Sequence, residues 1–158
     1  MGNNFERMLE VVGEAFDTRN DPDQISVSEK EMEILEAIHP DTLSELANED
    51  GPVVWILLVP TTRRIMDLFL EGSITEKELL HRTAAVSSYD VLYLCSASVL
   101  PEFRKKGLAK QVCMDAIKSI RKDHNISTLF YWPFSEEGKL LAAAVAKETG
   151  LPLLEKKH

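Results

Sequence analysis

The spacing of apolar residues changes character along the chain. Phe5, Met8, Leu9, Val12 and Phe16 recur at helical spacing and predict an amphipathic helix over about residues 3–17, with those side chains inward. A polar loop, TRNDPDQIS, comes after it. SEKEMEILEAI predicts a second helix with Ser28 as its cap, Met32, Leu35 and Ile38 inward, and an end before Pro40. DTLSELANEDG reads as a short turn of helix closed by a glycine turn. The pattern then changes. PVVWILLVP, residues 52–60, is apolar almost without interruption, as in a strand covered on both faces.

Two helical stretches come next, TTRRIMDLFLEG and ITEKELLHRTAA; in the second, Thr75 and Glu78 have the spacing of a capping box. VLYLCSASV, residues 91–99, is a second buried strand. The stretch from about 107 to 121 predicts a helix burying Leu108, Val112, Cys113, Ala116, Ile117 and Ile120. STLFYWPF is a third strand ended by Pro133. Ser135 caps a helix through KLLAAAVAKE that Gly150 stops, and LPLLE is a short last strand. From residue 90 on, strands and helices alternate, so the class is α/β: a central mixed sheet flanked by helices, with a strongly helical N-terminal half.

Composition adds limits rather than an assignment. The 158 residues suit a single domain, and 44% hydrophobic with 28% charged residues describes an ordinary globular chain. A formal charge of -8 and a pI near 5.0 argue against general affinity for nucleic acid or anionic membranes. The first residues lack the basic start and apolar core of a signal peptide, Glu6 occupies the place where a myristoylation signal needs Ser or Thr, and no run is long enough to span a membrane. Two cysteines make no disulfide framework, so the cytoplasm is the expected compartment. The four histidines have no metal-like spacing, and no metal is expected.

Against that acidic background, SVLPEFRKKGLAKQVC (98–113) is conspicuous: a strand ends, the chain breaks at Pro101, and Arg104, Lys105, Lys106 and Lys110 surround the start of a helix. A helix start presents free N–H groups and partial positive charge, which suit a phosphate. Gly107 lets a ligand approach the backbone closely, Ala109 keeps the first turn slim, and the lysines add charge without fixed geometry.

Arg104-Lys105-Lys106-Gly107-Leu108-Ala109 resembles the R/Q-x-x-G-x-G/A signature of the GNAT superfamily of acyl-CoA-dependent N-acyltransferases. The buried strand before it, the amphipathic helix after it and the Gly150-Leu151 pair extend the likeness over roughly residues 90–155. The resemblance implies a single GNAT-like domain in which residues 1–52 form a helical acceptor side and 90–155 bind acyl-CoA. It implies that Ala97, Ser98 and Val99 offer backbone groups to pantetheine and the thioester carbonyl, in a gap where their strand splays from the next. Lys105, Lys106, Gly107, Leu108, Ala109 and Lys110 would wrap the pyrophosphate, with Arg104 ordering the loop. The place where relatives carry a cofactor-touching Asn holds Lys139. The implied activity is transfer of an acetyl group from acetyl-CoA, as cosubstrate, to a small-molecule or peptide amine.

Such chemistry needs a deprotonated amine held at the thioester, donors for the developing oxyanion, and a proton for the departing thiolate. Where many relatives carry a Tyr for that last task this chain has Ala146, and where some carry a Glu it has Phe134. Tyr131 is the substitute candidate for catalysis, with a buried structural tyrosine as the plainer alternative; Tyr93 stands likewise. Glu136 and Glu137 suit a helix start, and Glu102 a solvated turn. Cys95 and Cys113 read as small core residues and His81 as surface. The N-terminal half shows neither the family's opening strand nor a hairpin before residue 90. Three functional readings stay open: an N-acetyltransferase, a CoA-binding sensor that does not turn over, and a protein-interaction domain using its acidic helices.

Overall fold

A computed structural model describes residues 3–19 and 29–157. Helices α1 (Asn4–Arg19) and α2 (Glu29–Ile38) precede strands β1 (Leu43–Asn48) and β2 (Gly51–Thr61). Helices α3 (Arg63–Leu70) and α4 (Glu76–Ala84) lead into β3 (Val91–Val99). A single 3-10 turn, Pro101–Phe103, then opens α5 (Leu108–Asp123), followed by β4 (Thr128–Tyr131), α6 (Glu136–Thr149) and β5 (Leu153–Glu155). The strands form one mixed sheet in the order β1-β2-β3-β4-β5, antiparallel up to β3 and parallel from there on. No described helix is long and apolar enough to cross a membrane.

The strands read from apolar runs are where the core lies. Val53, Val54, Ile56, Leu58 and Val59 on β2 are almost wholly buried, as are Val91, Leu92 and Tyr93 on β3. Burial of successive residues requires cover on both faces. Helices α3 and α4 cover the face that carries Tyr93 and Phe130: these rings stack at 5.0 Å between centroids, Phe69 of α3 packs on both, and the Tyr93 hydroxyl donates to Glu76 of α4. Helices α5 and α6, the connections between the parallel strands β3, β4 and β5, pack on each other.

The expected turn of helix in DTLSELANEDG is instead β1. Leu43 and Leu46 stand three apart, which is helical spacing, but backbone pairing with the long buried β2 outweighs so weak a local preference. A two-residue turn, Glu49-Asp50, closes the hairpin that the sequence concealed. Asn48 Oδ1 accepts from the Asp50 N–H at 2.9 Å, and Gly51 takes a φ of +118°, where a Cβ would also come within 3.2 Å of Asn4 Cβ.

Helix α1 differs from expectation in its inward face. Met8 is fully buried and Val11 and Val12 partly so, whereas Phe5 and Leu9 are 52% and 40% exposed. The Phe16 side chain and Ser28 lie outside the described residues. Helix α2 stops at Ile38 as predicted, with Leu35 and Ile38 inward and Met32 half-buried.

A wedge and an uncapped helix

Strand β3 is the spine of the candidate site. Its first half pairs with β4 at Val91, Leu92, Tyr93 and Leu94. There β4 ends, and among the described residues β3 runs on through Cys95–Val99 with β2 as its sole ladder partner. The sheet thus opens into a wedge at the upper end of β3. The change coincides with a bulge: Leu57 pairs with Ser96 and Leu58 with Leu94, so Cys95 is the extra residue. A bulge bends its strand and re-aims the residues beyond it, which suits the place where two strands part.

Register identifies which peptides face the wedge. The Leu100 N–H donates to the Val53 carbonyl, which makes Val54–Val99 a pair without hydrogen bonds between its own members. Alternation then turns the N–H and C=O groups of Ala97 and Val99 away from β2 and those of Ser98 toward it. Of the three residues expected to present backbone groups, Ala97 and Val99 turn theirs to the side of β3 away from β2. Ser98 spends its peptide on β2 and is only 8% exposed. An N–H group on such an edge is a donor suited to a carbonyl oxygen that gains negative charge.

The turn above the wedge is shaped for an anion. Lys105 has φ +62° and Gly107 φ +75°, two left-handed positions within three residues. Gly107 is the N-cap of α5, no side chain caps that first turn, and a Cβ at Gly107 would meet nothing within 4 Å. The first hydrogen bond that returns to the cap is Gln111 N–H to the Gly107 carbonyl, so the N–H groups of Leu108, Ala109 and Lys110 point out of the helix end. Lys105 and Lys106 are exposed and form no ion pair among the described residues.

Arg104 orders this turn as expected: its Nε donates to the Val99 carbonyl at 3.1 Å, and its own N–H to the Pro101 carbonyl. The same contact occupies an acceptor that the family resemblance assigns to pantetheine. The Lys110 ammonium meets Glu148 of α6 at 2.9 Å, which leaves its N–H at the helix end.

Tyr131 is the last residue of β4, level with the point where the wedge opens. Its hydroxyl donates to Glu155 Oε2 at 3.0 Å, across the β4–β5 ladder, where the two residues are register partners. Burial, reinforced by the Glu155 carboxylate, pushes the phenol up to about 12. Giving its proton to a thiolate whose conjugate acid ionises near 8.5 is uphill by roughly three pH units. Tyr131 is therefore a poor acid for the leaving group. Nothing in the sequence pointed to Glu155; only the parallel register of the short β5 puts it there.

No protein family, curated protein or solved structure matches the chain.

The remaining candidates lie elsewhere or are otherwise engaged. Tyr93 and Glu76 are fully buried with each other, sealed from the wedge. Cys113 is a core thiol, pushed by burial up to about 12. Ala146 packs partly buried against the core, and Phe134 is exposed beyond β4, its ring tilted against Trp132. Glu102 is tied to Arg7 of α1 at 2.6 Å, and that hydrogen bond pulls its carboxyl down to about 2. Far from the wedge, His39 Nε2 and Asp123 Oδ2 meet at 2.7 Å while His39 Nδ1 accepts the Asp41 N–H, an arrangement that tethers the end of α2 to the end of α5. Among the described residues no His, Cys, Asp or Glu cluster could hold a metal ion.

Proposed function

We propose that the protein is a CoA-dependent N-acyltransferase that moves an acetyl group from acetyl-CoA to an amine by direct attack. The observation that carries this reading is the continuity of wedge and turn. An unpaired peptide edge at Ala97 and Val99 leads directly into an uncapped helix start flanked by Lys105 and Lys106. Pantetheine, a chain of amides, would add hydrogen bonds along the freed edge, and the pyrophosphate would take the N–H groups at Leu108, Ala109 and Lys110. Gly107 leaves that approach open.

In the reaction the amine nitrogen attacks the thioester carbon, an N–H group facing the wedge stabilises the oxyanion, and the C–S bond breaks. The proton lost by nitrogen ends on the CoA thiol by way of solvent, since Ala146 has no proton to give and Tyr131 holds its own. Those same two residues favour a second reading, in which the fold binds CoA species as a sensor without efficient transfer. A third, a protein-interaction domain with no cofactor, is what remains if the turn is only a solvated connection.

Calorimetric titration with acetyl-CoA and with 3'-dephospho-CoA separates them. Binding that weakens when the phosphate is removed, together with thioester loss in the presence of amines, supports the transferase. Binding with no thioester loss across an amine panel selects the sensor. No heat at high ligand concentration removes both cofactor readings.

A further inference from the structure

Charge is divided very unevenly along this chain. Residues 1–50 hold 14 acidic and 3 basic residues, a formal charge of -11, whereas residues 51–158 hold 12 acidic and 15 basic, or +3. On the acidic side, α1 turns Phe5 and Leu9 outward, one helical turn apart. Phe5 packs edge-on against the half-buried Trp55 of β2 at 5.8 Å, and Trp55 Nε1 donates to Glu45 on β1 at 2.7 Å. These contacts join α1 and the hairpin into one apolar surface. Its rim is Glu6 and Glu10 on α1 with Glu45, Glu49 and Asp50 on the hairpin, all exposed. None of the five forms an ion pair among the described residues, and Arg7, which lies between Glu6 and Glu10 on α1, is already bound to Glu102.

We propose that the Phe5–Leu9–Trp55 face docks a basic, amphipathic polypeptide segment, with apolar side chains on the aromatic surface and Lys or Arg on the acidic rim. Charge selects this occupant. Nucleic acid and anionic membranes are repelled by the rim. A second copy of the chain would bring the same negative charge against it. A small cationic amine would meet the rim but leave Phe5 and Leu9 uncovered. The hairpin tip at Glu49–Asp50, the start of α1 and the turn at Glu102 share the end of the sheet where β3 parts from β4. A docked lysine is thus brought to the end of the molecule where the wedge opens. In that one respect the inference rests on the acyltransferase reading and narrows the acceptor to a peptide; the docking itself does not depend on it.

The test is fluorescence anisotropy, without any CoA, using a labelled peptide with Leu at helical spacing and Lys elsewhere. Two comparison peptides have the same composition scrambled, or Glu in place of Lys. Tight binding of the first, at least tenfold weaker binding of the scrambled one and none of the acidic one is expected. Phe5→Ser/Leu9→Ser, both at exposed positions, should weaken binding about tenfold or more. Glu6→Gln/Glu10→Gln/Glu49→Gln should weaken it and flatten its salt dependence. Equal binding of the scrambled peptide, no loss in either variant, or self-association that Phe5→Ser abolishes would overturn the proposal. Peptide binding without CoA binding would leave this surface standing while the transferase reading falls, and the opposite pair of results would do the reverse.

Discussion

The two halves of β3, Val-Leu-Tyr-Leu and Cys-Ser-Ala-Ser-Val, differ in residues and in what their peptides do. Val91–Leu94 lies between two strands and under packed aromatic rings, with Val91, Leu92 and Tyr93 fully buried. Among the described residues Cys95–Val99 has a strand on one side only, and Ser96 and Ala97 are exposed. Hydrogen-bonding capacity decides the difference. In the lower half each peptide is used by the fold, so side-chain packing sets its importance. In the upper half the groups of Ala97 and the Val99 N–H are left over, the Val99 carbonyl being taken by Arg104, and an unused strand edge is either a liability or a binding site. Here it ends at a turn that is itself short of partners for its N–H groups.

The largest effect that tests this contrast lies in the lower half. Phe130 is fully buried, stacked on Tyr93 and packed against Phe69. Phe130→Ala should cost about 3–5 kcal/mol in urea unfolding. Ala97→Ser, in the exposed upper half, should stay within about 0.5 kcal/mol. Comparable losses at the two positions would mean that the upper half is packed in solution and the wedge closed.

Next in size is a change confined to the turn. Gly107→Trp should remove measurable CoA binding, because an indole would fill the space now open over the α5 N-terminus. The left-handed φ of +75° makes any other residue costly there, by about 1–2 kcal/mol. Gly107→Ala carries the same backbone cost without the bulk and should keep much more of the affinity. If the Trp variant binds CoA as tightly as the parent, the pyrophosphate site is not at this turn.

How much of this was legible in the sequence depends on the range of the interaction involved. Short-range features came through intact: the Thr75–Glu78 capping box has both of its hydrogen bonds, Ser135 caps α6, Gly150 ends it with φ +74°, and the apolar runs are β2 and β3. Features set by pairing partners far along the chain did not. β1 is a strand because β2 lies beside it. Phe5 and Leu9 face outward because Met8 is the residue that reaches the sheet. Glu155 meets Tyr131 only through the register of β5. For the site, the motif pointed to Arg104, which ties the turn to Val99, and to Gly107, the left-handed N-cap of α5. It said nothing of the Cys95 bulge or of which peptides face the wedge, since both depend on how β2 and β3 align. Nor did it disclose the Lys110–Glu148 pair, which the packing of α5 on α6 brings together.

The smallest expected effect concerns the contact that joins the acidic third to the upper half of β3. Arg7 and Glu102 are both well exposed, so their pair contributes little to overall stability, yet it fixes α1 beside the turn that opens the site. The hydrogen bond from Arg7 is the main reason Glu102 ionises near 2 rather than at its ordinary 4.5. A carboxyl depressed on folding contributes stability that is complete above its unfolded value and is lost as the pH falls through its folded one. Arg7→Ala should therefore raise the Glu102 pKa toward 4.5, read by carboxyl NMR titration. The small stability gap between the variant and the parent should close as the pH is lowered from about 4.5 to about 2. A gap that persists unchanged at the acid end would place the role of Arg7 in packing along α1, and the link between α1 and the turn would then not depend on charge.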